Sequence, residues 1–463
     1  MSYFFSNYKF HILIFFFSSL ILTRFNIDPD LGWHLAIGDR FLETGQIIRG
    51  DEFSWTMPGF IFGNYFFAYQ ILVAFILNNF GHLFLSLLFG ILASLAVLIL
   101  LPKKIDFWQT VVSSIGIVLA VFALGVRPST ISFLMFSVQL YLLNKNFFKR
   151  TVHILFWVLF FSIWANFHQG FIYGLFVFAL WIGADWISKA PKDKKVLFGL
   201  GCLLSAFIGT FLTPFHSYVY RSIFMDLTGS KTWSSIAEWG PGAIVFPFNL
   251  LYALSALVVI YMFFKSLKVL DPKLFSVAVV VFSMPFIAIN TIVFWAAFFI
   301  FVTSRYLEFK IKGEENFWVK LPTIYSLISV FIVFFLSFIL SVLESVDLQS
   351  RLIKDDYPVE AVEYMKANGL EEGIFNEYAW GGYLDWQFPE AKVFIDGRMT
   401  GWRSNDVYIL DDYLTISRGD CEVLSDYQIK TVLIKKEGEN NCFESFAKVY
   451  EDEVAKVLIE WNR

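Results

Sequence analysis

Long apolar segments recur along this chain with few charges inside them, and that recurrence limits the fold more than any motif does. They lie at about 10–23, 83–101, 107–124, 130–146, 152–166, 171–188, 195–213, 248–266, 274–289, 291–306 and 321–343. Several are shorter than the roughly 20 residues of a perpendicular span. Charged residues make up only 16% of the chain, against roughly 25% in a soluble domain. The chain therefore reads as a polytopic α-helical membrane protein. Its 57 phenylalanines suit surfaces that face membrane lipids. No basic patch interleaved with aromatics lies outside the apolar segments, which argues against nucleic acid as a partner.

The basic residues set an orientation. Lys103 and Lys104 follow the second segment, and Lys145, Lys149 and Arg150 the fourth. Lys189, Lys192, Lys194 and Lys195 follow the sixth, Lys265 and Lys268 the eighth, and Lys310 and Lys312 the tenth. The positive-inside tendency makes these turns cytoplasmic. The N-terminus is then cytoplasmic, about eleven helices cross the membrane, and the part after residue 345 lies outside. Residues 64–80 are short and flanked by Asn64, Asn78 and Asn79. Read as a surface helix they keep the alternation; read as a span they break it. The first segment reads as a retained anchor, because no small-residue cleavage site follows it.

The outer side collects the scarce polar groups. The loop at 25–62 holds Asp28, Asp30, His34, Asp39, Arg40, Glu43, Arg49, Asp51 and Glu52. Pro29 biases Asp28 toward an extended backbone. A short amphipathic helix begins at Asp30, a plausible N-cap. Two carboxylates at the mouth of a surface helix can hold a divalent cation, act as a base, or cap the helix. Arg127, the Trp164–Gly170 turn with His168, and Arg221 and Glu238 in the 214–247 loop fall on the same side. Arg127 and Arg221 are suited to two-pronged phosphate contacts, or to pairing with the loop carboxylates. His168 is a substrate-holding candidate or a helix-end histidine. His34 is a metal ligand with Asp30 or a surface-helix residue. Glu238 is a third acid or a solvated charge.

A membrane segment, an Asp-x-Asp loop and an amphipathic helix, in that order, resemble the GT-C class of membrane glycosyltransferases. Asp28, Pro29, Asp30, Leu31, Trp33, His34, Leu35 and Gly38, followed by Asp51, Phe53, Ser54, Trp55 and Thr56, are similar to a bacterial group in that class. Gly32 stands where that group usually has a second Trp. The resemblance implies that Asp28 and Asp30 activate the acceptor or bind Mg or Mn. It also implies a polyprenyl-phosphate sugar donor and inverting transfer at the anomeric carbon.

After about residue 345 the composition turns polar, and 346–463 read as an α/β domain. Residues 358–368 read as a helix, and 373–376, 392–396 and 431–434 as strands. Cys421 and Cys442 are available for a disulfide if this part is outside the cytoplasm. Trp380-Gly381-Gly382-Tyr383-Leu384 reads as a glycine turn. It resembles, at a distance, the Trp-Trp-Asp-Tyr-Gly motif of oligosaccharyltransferase catalytic subunits. Gly stands here in place of the second Trp and of the Asp. Tyr383, Asp396 and Arg398 are candidates for closing the site over a substrate.

The expected protein is thus a GT-C-like transmembrane domain, 1–345, with an extracytoplasmic α/β domain, 346–463, in a bacterial inner membrane. The expected activity moves a sugar from a polyprenyl-phosphate donor to an envelope or lipid-linked acceptor. A flippase for a lipid-linked saccharide and a non-catalytic envelope assembly protein are the alternatives.

Overall fold

A computed structural model describes residues 2–188, 194–229, 248–265, 271–308, most of 332–343, 346–404 and 407–461. It is mostly helical, with a sheet region near the C-terminus. The chain separates into two compact units, each assembled from distant stretches. One comprises Met1–Phe25, Leu83–Leu212 and Ala237–Glu344; the other comprises Asn26–His82, Thr213–Ile236 and Ser345–Arg463.

Among the described residues the helices in chain order are α1 (Ser2–Leu22), α2 (Leu31–Thr44), α3 (Phe67–Leu100), α4 (Phe107–Ala120), α5 (Pro128–Asn144) and α6 (Val152–Phe167). They continue with α7 (Phe171–Ser188), α8 (Lys194–Gly209), α9 (Tyr218–Thr228), α10 (Phe248–Lys265), α11 (Pro272–Ser283) and α12 (Ile292–Tyr306). The last four are α13 (Leu348–Lys354), α14 (Val359–Ala367), α15 (Tyr378–Gln387) and α16 (Ile409–Ser417).

In the first unit α12 is the central rod, buried from Ile292 to Ser304. Gly116 of α4 lets that helix approach Ile300 and Ala296 of α12. A 2.9 Å hydrogen bond between Ser113 and Thr303 ties the same pair. Helix α6 buries Trp157, Phe161 and Trp164 on one face and exposes Val152, Leu155, Leu159 and Ile163 on the other. An apolar outer stripe at three- and four-residue spacing is what a lipid-facing helix presents. Among the described residues, Phe67–Leu100 and Ile289–Tyr306 are long and apolar enough to cross a membrane. The other apolar helices there are shorter, so the structure supports a helical apolar bundle without giving a count of eleven spans. The expected 321–343 span lies mostly outside the described residues.

Helix α3 breaks at Gly81, whose φ of 79° and ψ of 172° are non-helical. Its first part, to His82, belongs to the second unit, and its apolar remainder to the first. In the second unit, α2 ends at Gly45 in the left-handed region, φ 68°.

The second unit contains a four-stranded sheet of order β1-β4-β6-β5, with β1 Ile374–Asn376, β4 Thr431–Lys435, β5 Phe446–Glu451 and β6 Ala455–Glu460. Strand β1 runs parallel to β4, with Phe375 opposite Val432; the other pairs are antiparallel. A small hairpin joins β2 (Arg403–Ser404) to β3 (Val407–Tyr408). Residues 392–396 are not a strand of this sheet. Their backbone partners come from elsewhere: Val393 bridges Ser54 in parallel, and Phe394 N donates to the Asn376 side chain. The first loop is thus laced to the sheet. Trp55 Nε1 donates to the Ile374 carbonyl at 2.9 Å, and Thr56 Oγ1 to the Phe394 carbonyl at 2.6 Å. One apolar core unites Trp33, Ile37, Met57 and Phe62 with Phe375, Phe394, Trp402 and Ile434.

Candidate functional site

The paired aspartates sit in a turn. Asp28 Oδ1 accepts from the Asp30 amide at 3.0 Å, and the Asp28 carbonyl accepts from Leu31 N at 2.9 Å. Asp30 occupies the N-cap position of α2, but its carboxylate makes no cap bond. Instead Asp30 Oδ1 accepts from Trp33 Nε1 at 3.1 Å. The aspartate is therefore aimed sideways across the helix mouth by an indole one turn on. Both carboxylates are half-buried.

Glycines bring the tail against this turn. The Trp380–Leu384 stretch is not a turn; it lies inside α15. A Cβ on Gly32 would stand 2.1 Å from the Gly382 carbonyl oxygen, and one on Gly382 would stand 2.9 Å from the Pro29 carbonyl oxygen. The two helices cross backbone to backbone, which explains a Gly at 32 where a bulky residue would have no room. Gly397 passes Asp30 just as closely, its Cβ position 2.0 Å from Asp30 Oδ1.

Tyrosines and a buried ion pair flank the turn. Tyr357 Oη donates to the Ile27 carbonyl at 3.3 Å, and its ring centre lies 5.2 Å from that of Tyr383. Burial first, then the negative charges of Asp28, Asp355 and Asp30, push the Tyr357 hydroxyl above its ordinary range. Asp355 Oδ2 accepts from the Ile27 amide at 2.8 Å and from Arg351 Nε at 3.1 Å. Tyr383 is also buried and its hydroxyl is raised, chiefly by burial.

Asp396 and Arg398 lie in the core beneath the turn. Asp396 Oδ1 accepts from the Arg398 amide at 2.8 Å and from its Nε at 2.9 Å. Arg398 Nη1 lies 2.9 Å from Asp51 Oδ1. The guanidinium is caged by Phe53 and Trp402, 4.9 and 5.3 Å from the ring centres. Asp51 also accepts from Ser54 N at 3.0 Å. Asp396 and Arg398 are thus engaged inside the fold, joining loop to tail. A second buried joint is Asp226 on α9, which accepts from Tyr65 Oη at 2.8 Å and from Thr400 Oγ1 at 2.9 Å. Burial lifts its carboxyl to about 6, while these two hydrogen bonds pull the other way.

The remaining sequence candidates are dispersed. His34 is buried among the rings of Trp33, Phe66 and Tyr69, with Gln70 Nε2 3.4 Å from its Nδ1. Arg221 is exposed on α9. Arg127 and His168 belong to the helical unit. Arg127 precedes Pro128 at the start of α5. His168 caps the end of α6, its Nδ1 2.7 Å from Ser132 Oγ, which also accepts from Trp164 Nε1 at 2.7 Å. Glu238 lies outside the described residues. Nothing in the local sequence marks out Tyr357, Asp226 or Asp385; Tyr357 bonds Ile27, 330 residues away, and Asp226 bonds Tyr65 and Thr400, 161 and 174 residues away. Among the described residues no group of three or more His, Cys, Asp or Glu side chains is disposed to hold a metal. Cys421 and Cys442 are joined as a disulfide, with Cα atoms 5.3 Å apart.

No family model and no curated protein matches this chain. Solved structures do, among them three of an archaeal oligosaccharyltransferase, to which the fold is similar. One is the archaeal oligosaccharyltransferase AglB from Archaeoglobus fulgidus in complex with an inhibitory peptide and a dolichol-phosphate. It is 12% identical with a TM-score of 0.56, over 94% of this chain and 70% of that one. The apo Archaeoglobus fulgidus enzyme is 12% identical with a TM-score of 0.51, again over 94% and 70%. The form tethered to an acceptor peptide containing an NVT sequon gives the same identity and TM-score over 99% of this chain and 74% of that one. At this identity the likeness is one of fold.

Proposed function

We propose that this protein is a membrane glycosyltransferase of GT-C type that transfers a sugar from a polyprenyl-phosphate donor to an envelope or lipid-linked acceptor. One observation carries the reading. In a fold similar to an oligosaccharyltransferase, two half-buried carboxylates two residues apart are held at a helix mouth by backbone-to-backbone contact with the tail. Each carboxylate accepts a hydrogen bond within the turn and keeps part of its surface open, so the pair can meet a substrate.

In the proposed reaction the acceptor attacks the anomeric carbon from the face opposite the donor phosphate. A new bond forms there as the carbon–oxygen bond to phosphate breaks, with inversion. The electron pair leaves on the phosphate. Asp28 or Asp30 orients the acceptor and takes its proton. Arg221, in the same compact unit as the pair, is assigned to the charge on the departing phosphate. Tyr383 borders the turn and is assigned to the substrate side. Asp396, Arg398 and His34 are assigned to positioning, because their polar atoms are engaged within the core.

A divalent cation, Mg or Mn, would find two carboxylates in Asp28 and Asp30 and would complete its shell with substrate phosphate and water, the pattern Mg²⁺ favours. The orientation proposed from the lysine-rich turns puts the loop and the tail outside the cytoplasm. The Cys421–Cys442 bridge suits that side, since disulfides persist in oxidising compartments.

The test is transfer of labelled sugar from polyprenyl-phosphate donors by membranes bearing Asp28→Asn or Asp30→Asn. Each variant should insert normally and lose transfer by at least about 100-fold, the usual worth of a positioned proton acceptor. Full transfer by both variants would remove the role assigned to the pair.

A further inference from the structure

Helix α15 carries a buried acid that the proposed reaction does not use. Asp385 is 1% exposed, and neither of its oxygens receives a hydrogen bond. It lies one turn beyond Gly381 and Gly382, on the face that meets the 395–398 segment and the Asp28–Asp30 turn. The charged groups facing it are Asp396, Arg398 and Asp51. Arg398 is already committed to Asp396 and Asp51. With Asp385 ionised, three carboxylates would share one guanidinium away from water. A carboxylate also has nothing to offer the Asp396 carboxylate beside it, whereas a carboxylic acid does.

We propose that Asp385 is a positioning residue held as the neutral acid, donating a hydrogen bond to Asp396 and so seating α15 on the Asp28–Asp30 turn. Burial, with the negative charge of Asp396 next, moves the Asp385 carboxyl in the required direction, well above the ordinary range. The proton stays on Asp385, and Asp396 accepts it alongside the Arg398 bonds. Because α15 meets Pro29 and Gly32 through bare backbone, a shift at Asp385 is passed to the turn without side chains to absorb it.

The full chain in detergent tests this without any assay of sugar transfer, so its failure and that of the proposed reaction are separable. Infrared spectra at neutral pH should show a protonated carboxylic acid band that is missing in Asp385→Asn. Asn keeps a donor and no charge, so D385N should fold, and D385A should raise amide exchange at residues 28–33 where D385N does not. The folding constant of wild type relative to D385N should fall about tenfold per pH unit above the ordinary carboxylate range, until Asp385 itself ionises. A missing band, a pH-independent ratio, unchanged exchange in D385A, or a D385N as disrupted as D385A would each overturn the proposal.

Discussion

Asp226 shows how one buried carboxyl can set the pH response of this fold. Its folded value, about 6, lies above the unfolded one near 4. Its contribution is therefore fully present below the unfolded value and is lost as pH rises through 6. Between pH 6 and pH 5 wild type should gain about 1 kcal/mol relative to Asp226→Asn, less than a full pH unit's worth because the carboxyl is already half protonated at pH 6. Thermal unfolding of both proteins across that range measures it. A difference that stayed flat would mean the carboxyl titrates at its ordinary value. Nothing in the local sequence of α9 marks Asp226 out; its partners Tyr65 and Thr400 are 161 and 174 residues away. Asp28 and Asp30 were legible because their signal is local: two acids across a proline at a helix start. Asp385 was not, because its burial is supplied by residues that only the fold brings near.

Among the elements, the crossing of α2 and α15 is held by what is missing from it. Gly32→Val puts a branched side chain where the Gly382 carbonyl oxygen stands, 2.1 Å from the Cβ position. The strain should cost about 3 kcal/mol, the upper part of the usual overpacking range. Gly45→Ala is the control: φ is 68° but nothing lies within 4 Å, so only the left-handed backbone is charged, at about 1 kcal/mol. Denaturant unfolding should separate the two; equal losses would mean the crossing carries no special constraint. Hydropathy located most of the described helices to within a few residues, and β1 and β4 fell where short apolar runs sat in polar sequence. The Trp380–Leu384 stretch misled because glycine pairs usually signal turns; here they mark close helix approach. Residues 392–396 have a strand's composition, but the first loop and Asn376 claim their hydrogen bonds.

At the scale of the molecule, the first loop, the α9 segment and the tail fold as a single unit although the apolar helices separate them in sequence. Arg49 Nη1 donates to the Pro214 carbonyl at 3.0 Å, Thr400 Oγ1 to Asp226 at 2.9 Å and Thr56 Oγ1 to the Phe394 carbonyl at 2.6 Å, so all three stretches are tied directly. In the proposed membrane arrangement all three share one side of the bilayer. Accessibility labelling of cysteines introduced at positions 43 and 390, both exposed, should find them in the same compartment. Labelling from opposite sides would dismantle the unit and the proposed site with it. The lacing of loop to tail was not legible in the sequence, since Trp55 and Thr56 donate to backbone carbonyls, and a carbonyl leaves no trace in side-chain identity.

That lacing has a consequence for biosynthesis. Thr56 finds the Phe394 carbonyl 338 positions later in the chain, and Trp55 finds Ile374 319 positions later. A ribosome finishes the apolar helices long before Trp55 and Thr56 have these partners. A nascent or truncated product therefore carries an aspartate turn that is still unbraced, and the brace arrives only with the last hundred or so residues.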